Sequence, residues 1–220
     1  SICSCLGHQS IELRSGRHAH LLAFPFFPHP ELTDLLIAND DGRQIDQLSV
    51  DDKMQVCRNI IDALSALHEH GWLHGDISDR NILIDQKSLQ IRLIDFEFSR
   101  PIEEAPMEGR NRGTPEFLAP EMLIFGWRGS SQMADVWALG QVLASILMPN
   151  YKEWWNEIGV YPKMWKEKQD GGASIPMLPK KGPEGVPSKL WSVIRDCTII
   201  NRELRPMAND LKAVINENLE

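Results

Sequence analysis

The sequence predicts a mainly α fold with small β-hairpins, and three stretches carry that reading. The first runs from Ser49 to Gly71, where Met54, Cys57, Ile61, Leu64 and His68 recur at three- and four-residue intervals. The second, Met133 to Leu147, spreads Val136, Trp137, Leu139, Val142, Leu143 and Ile146 around nearly the whole helical circumference, as in a helix buried on all sides. The third is a pair of apolar runs, Ile82 to Ile84 and Ile91 to Ile94, separated by polar Asp85 to Gln90. That spacing suits a hairpin.

Each element has local punctuation. Ser49 is placed to cap the first turn of its helix with Asp52 three residues on, and Gly71 to take the left-handed conformation past its end. Farther along, Ser188 to Ile199 presents Leu190, Trp191, Ile194 and Cys197 at helical spacing. Arg205-Pro206 then breaks the chain before a last helix expected to reach Leu219. Gly171 to Pro187, rich in Gly, Pro and Lys, reads as a loop. The chain shows no internal repeat.

At 220 residues, with 42% hydrophobic and 25% charged side chains, the chain suits a single domain spanning 1–220. A formal net charge of −8 without clustered Lys and Arg argues against a nucleic-acid partner. No apolar run approaches the roughly 20 residues that cross a bilayer, and the opening SICSC lacks a basic n-region. The expectation is a soluble, intracellular, cytoplasmic protein without a membrane partner. Cys3, Cys5, Cys57 and Cys197 show neither zinc spacing nor disulfide density, and Cys57 falls on an apolar helix face.

The chemistry concentrates in two places. HGDISDRNIL, His74 to Leu83, joins the first long helix to the hairpin and sets Asp76 five residues before Asn81. Phosphoryl transfer needs a carboxylate to orient the attacking hydroxyl and an amide oxygen beside the phosphates to hold magnesium. After the second hairpin strand comes IDFEFS, where Asp95 offers a second hard oxygen ligand.

These segments resemble the protein kinases, whose catalytic loop reads H-R-D-x-x-x-x-N and whose metal motif reads D-F-G. GTPEFLAPEM, Gly113 to Met122, resembles the end of an activation segment, with Ala119-Pro120-Glu121 in the place of A-P-E. DVWALG, Asp135 to Gly140, is similar to the start of the family's central helix, and Arg205-Pro206 to its late Arg. The resemblance implies Asp76 as the hydroxyl-orienting base, Asn81 and Asp95 as magnesium ligands, and His74 as a bracing residue. It also implies that Asp135 holds the loop backbone and that Glu121 pairs with Arg205. Residues 1–30 would be a remnant of N-lobe strands and hinge, and 31–220 a helical C-lobe lacking most of the N-lobe.

Several positions depart from the family pattern. Gly75 replaces the Arg that grips a phosphorylated activation segment. Ser78 stands where Ser/Thr kinases place a Lys, leaving Arg80 as the cationic candidate. Glu97 replaces the Gly of D-F-G and adds a carboxylate to the cofactor-binding set. H-G-D with D-F-E also resembles aminoglycoside- and choline-type kinases. No G-x-G-x-x-G or V-A-I-K precedes the loop, and Pro25 and Pro28 fall in or near the hinge, where proline donates no backbone hydrogen bond.

The expectation is therefore a pseudokinase or interaction module, with magnesium and ATP bound weakly or not at all. Two alternatives stand beside it. One is an enzyme using the Asp76, Asn81 and Asp95 cleft for small-molecule phosphotransfer or for acid/base chemistry without ATP. The other is a fragment of an active kinase. A protein partner or self-association would cover the face left by the N-lobe, where Pro25 to Phe27 and the start ICSCL are apolar.

Overall fold

The computed structural model describes residues 6–12, 18–39, 42–105, 113–157 and 177–217. Strands β1 (Gly7–Glu12) and β2 (His18–Ala23) form an antiparallel hairpin that sets Gly7 opposite Ala23 and Glu12 opposite His18. An extended stretch from Phe24 leads to the short helix α1 (Leu32–Leu36), which buries Leu32, Leu35 and Leu36. Strands β3 (Ala38–Asn39) and β4 (Gly42–Arg43) make a second, minimal antiparallel pair.

Helix α2 (Val50–Glu69) forms where the periodicity places it. Ser49 caps it by accepting from the Asp52 amide at 3.1 Å, and Gly71 follows its end at φ +78°. Strand β5 (Trp72–Leu73) then pairs, across 26 intervening residues, with β8 (Arg100–Pro101). Between them β6 (Ile82–Ile84) and β7 (Ile91–Leu93) form the expected hairpin, with Ile82 opposite Leu93. Strand β7 ends one residue early. The Ile94 amide still bonds the Asn81 carbonyl in the same register at 3.0 Å, and Asp95 then turns the chain at φ +61°.

Helix α3 (Pro120–Phe125) starts on a proline, whose missing N–H is no loss in a first turn. Helix α4 (Gln132–Leu147) runs through the core, with Val136, Trp137, Leu139, Val142, Leu143 and Ile146 wholly inaccessible. Burying each such side chain contributes about 1.5–3 kcal/mol. Helices α5 (Tyr151–Glu157), α6 (Ser188–Asp196) and α7 (Ala208–Asn216) follow among the described residues. Helix α2 packs on α4 and α7, and α6 on both of those helices. Gly140 permits the closest approach, since a Cβ there would stand 2.5 Å from the Cys197 Cβ. Cys57 and Cys197 are both buried free thiols.

Two helix ends differ from expectation. Helix α6 stops at Asp196 rather than Ile199, because Thr198 turns back to bond the Arg195 carbonyl. Its own hydroxyl and carbonyl then receive the amides of Leu178 and Met177. Helix α7 ends at Asn216, and Leu219, like Cys3, Cys5 and the 171–176 part of the loop expected over 171–187, lies outside the described residues. Fold class and architecture agree with the reading above: mainly helical, small antiparallel sheets, and one hairpin ahead of the helical body. No helix among the described residues is long and apolar enough to cross a membrane.

Candidate active site

The loop after β5 is held from beneath by one carboxylate. Asp135, in the first turn of α4 and 4% exposed, accepts from the His74 amide at 2.9 Å and the Gly75 amide at 3.0 Å. His68 adds its Nε2 donor at 3.0 Å. Burial pushes the Asp135 carboxyl up, but the bond and charge of His68, with the charge and amide of His74, outweigh it and hold the group below the ordinary value. The negative end of the pair also sits at a helix N-terminus, where the peptide dipoles favour it.

His74 is fully buried and neutral. Its Nε2 donates to the Ile94 carbonyl at 3.1 Å while Nδ1 accepts from the Asp76 amide at 3.3 Å, and its ring lies 4.9 Å from that of Phe96. Burial lowers its pKa, opposed by the nearby Asp135 and Asp76 charges. The imidazole thus ties the loop to the strand that delivers Asp95. Gly75 has a steric reason to be glycine. Its φ is +83°, and a Cβ would fall 2.6 Å from the backbone oxygen of Phe98, so the substitution of the family's Arg goes with a close approach of the D-F-E-F turn.

Asp76 is anchored at both carboxylate oxygens. Oδ2 accepts from Asn81 Nδ2 at 2.9 Å and Oδ1 from the Thr114 amide at 2.8 Å. Asn81 Nδ2 also donates to the Asp76 carbonyl at 2.8 Å. With both amide protons so engaged, the Asn81 carbonyl oxygen remains an acceptor at the loop. Ser78 is wholly buried and faces no cleft. Arg80 is exposed and lines a separate cavity of about 230 Å³ with Asp79, Thr114, Glu116 and Lys152.

Asp95 and Glu97, both exposed, border a cleft of about 530 Å³ whose other walls are Phe24 to Phe27, Leu83, Arg92, Ile94 and Phe96. The Arg92 guanidinium stacks 4.9 Å from the Phe27 ring centroid and closes one side. Asp95 holds a left-handed backbone that a non-glycine residue adopts only at a cost. Among the described residues no three His, Cys, Asp or Glu side chains converge as a metal site. Away from the cleft, Glu121 and Arg205 meet with Nη1 to Oε1 at 2.7 Å and Nη2 to Oε2 at 2.8 Å.

Sequence reasoning missed Thr114, whose amide steadies Asp76, and the apolar walls supplied by Leu83 and Ile94. The signals were present: Thr114 sits at the head of GTPEFLAPEM, and Leu83 follows Asn81 by two residues. Arg100 was also missed, since a lone Arg before a proline carries no local signature.

Comparison with known proteins identifies the family. The chain is 34% identical over 111 residues to the liver/testis phosphorylase b kinase gamma catalytic chain of Bos taurus, covering 49% of this chain and 27% of that one. It is 32% identical over 139 residues to a probable serine/threonine-protein kinase KIN1 homolog of Enterocytozoon bieneusi, covering 60% and 23%. A putative tyrosine-protein kinase of Caenorhabditis elegans, C03B1.5, is 38% identical over 88 residues, 39% of this chain and 26% of that one. The matched segments thus span about a quarter of each relative. The protein kinase domain family matches residues 11–214, nearly the whole chain. With the loop, the metal motif, the A-P-E helix and the late Arg each in place, this chain belongs to the protein kinase domain family.

Proposed function

We propose that Asp76, Asn81 and Asp95 are the floor of a magnesium-dependent site that transfers phosphate to a hydroxyl acceptor, and that this chain by itself transfers it feebly. The observation that carries the reading is the posture of Asp76. Its two oxygens are fixed by Asn81 and by Thr114, so the carboxylate is oriented before any acceptor arrives. The free lone pairs of Asp76 then align the acceptor hydroxyl and take up its proton as its bond to the terminal phosphorus forms and the bond to the bridging oxygen breaks, releasing the nucleoside diphosphate.

The donor set suits magnesium. Asn81 offers an amide oxygen and Asp95 an exposed carboxylate, two hard ligands of the kind that hold this ion together with nucleotide phosphates. When bound, the ion would offset the charge that builds on the phosphates. Leu83, Ile94 and the Phe24 to Phe27 stretch supply an apolar slot for a base.

Feeble transfer follows from what the chain places around that floor. Its first lysine is Lys53, which is buried and bonds Asp46 at 3.1 Å. Within this chain that lysine is held by Asp46, and Glu97 adds a negative charge at the cleft. A second reading, an interaction module without efficient protein phosphorylation, is favoured by Phe26, 88% exposed, and Phe24, 42% exposed, at the cleft edge. A partner protein or a second copy would shelter them.

Titration calorimetry with ATP, with and without magnesium, tests the floor on this chain. Weak binding, with a Kd of about 1 mM, that needs magnesium and is lost in Asp95→Asn supports the transfer reading. Binding that ignores magnesium, or that survives Asp95→Asn unchanged, removes Asp95 from the site.

A further inference from the structure

Arg100 is 5% exposed, yet no carboxylate of the described residues lies within ion-pair distance of it. A guanidinium removed from water without a counter-charge is costly, and such groups are kept where carbonyls satisfy them. Here Nη2 donates to the Ser130 carbonyl at 2.8 Å, and Nη1 donates to the Pro101 carbonyl at 3.1 Å and to that of Glu104. Nε has no partner among the described residues.

Two of the three carbonyls, those of Pro101 and Ser130, belong to the two supports of the catalytic loop. Pro101 and Arg100 make up β8, which pairs with β5, the strand that ends one residue before His74. Ser130 precedes Ser131, whose hydroxyl caps α4 by accepting from the Ala134 amide at 3.3 Å. One turn into that helix, Asp135 receives the amides of His74 and Gly75. Arg100 thus bolts the strand on one side of the loop to the helix start on the other.

We propose that Arg100 is a positioning residue: its buried guanidinium sets α4, and through Asp135 the loop bearing Asp76, in fixed relation to β5 and β8. Among the described residues no carboxylate completes the clamp. The stretch from Arg100 to Gly113 contains no Ser, Thr or Tyr that could carry a phosphate. This inference rests on the transfer reading only for its kinetic consequence, because the geometry it asserts is that of the loop.

The test compares wild type, Arg100→Ala and Arg100→Gln, with amide hydrogen exchange as the first readout and phosphoryl transfer as the second. A cavity of about 290 Å³, lined by Arg100, Ile102, Ser130 and Gln132 among others, leaves room for methylguanidinium when the side chain is cut back. In Arg100→Ala the His74 and Gly75 amides should exchange about tenfold faster or more, while the amides of α2 keep their protection. Methylguanidinium should slow them again. A misplaced Asp76 should lower kcat by about 100-fold with little change in KM. Should Arg100→Ala fail to fold, Arg100→Gln, which keeps a donor but no charge, should show the same selective exchange to a smaller degree. Wild-type exchange at His74 and Gly75 in a folded variant, or loss of protection spread evenly over the domain, overturns the proposal. Because exchange is read without nucleotide, absence of transfer in the wild type would sink the transfer reading and leave this test intact.

Discussion

Arg205 and Glu121, 84 positions apart in sequence, meet in a two-pronged ion pair inside the helical body. The remaining donors of Arg205 reach the carbonyls of Met133 at 2.7 Å, Ile199 at 2.7 Å and Ile200 at 3.1 Å. Its guanidinium carbon lies 4.9 Å from the Trp137 ring centroid. One side chain thereby joins α3, the first turn of α4 and the turn that follows α6.

Arg205→Ala should destabilise the domain by about 3–5 kcal/mol, because it strands a buried carboxylate and three carbonyls. Urea unfolding measures this. The double variant Arg205→Met, Glu121→Leu should recover part of the loss, since an apolar pair leaves no buried charge. A single variant as stable as wild type would mean that the pair does not hold the fold.

Stability should fall on acidification in two windows. His74 is buried neutral with its pKa depressed below 6.5, so below that value the unfolded chain binds a proton that the native state refuses. Its contribution is complete above about pH 6.5 and drains away as pH falls toward the depressed value. Asp135 acts in the same direction lower down: its contribution is present above 3.8 and lost as pH falls through its lowered native pKa. Urea midpoints at pH 8, 6 and 5 should decline, and His74→Gln should flatten the upper part of the decline. A midpoint constant from pH 8 to 5 would contradict the buried neutral imidazole.

Gly75→Ala should cost about 1–3 kcal/mol, combining a left-handed backbone with the contact to Phe98. Restoring the family's Arg at this position should therefore harm the protein rather than improve it. Thermal melting of Gly75→Ala and Gly75→Arg decides the point, and a gain in Tm for either would show that the Phe98 turn yields freely.

Much of this was readable from the chain because it is local. Helix α2 announces itself through Ser49, a period of three to four and Gly71, all within one stretch of sequence. Asp76 and Asn81 are spaced by a single loop, and the loop closes on itself. What escaped the sequence depends on chain brought from afar. The β5–β8 pair is two residues long on each side, too short to leave an alternating pattern. The amide of Thr114 meets Asp76 from 38 positions away, and the purpose of Gly75 depends on where Phe98 lies. Arg80, given a role at the phosphates by resemblance, lines a cavity it shares with Thr114, the residue whose amide bonds Asp76.

Magnesium-dependent transfer of labelled γ-phosphate, in the protein at its natural length, bears most directly on the role of Asp76, Asn81 and Asp95. Wild type and Asp76→Asn are compared, since asparagine can still accept from the Thr114 amide but offers no carboxylate to an acceptor hydroxyl. The account predicts transfer in the wild type and a fall of about 100-fold or more in kcat for Asp76→Asn, with nucleotide affinity retained. Equal rates in the two proteins, or no transfer in either, would contradict it.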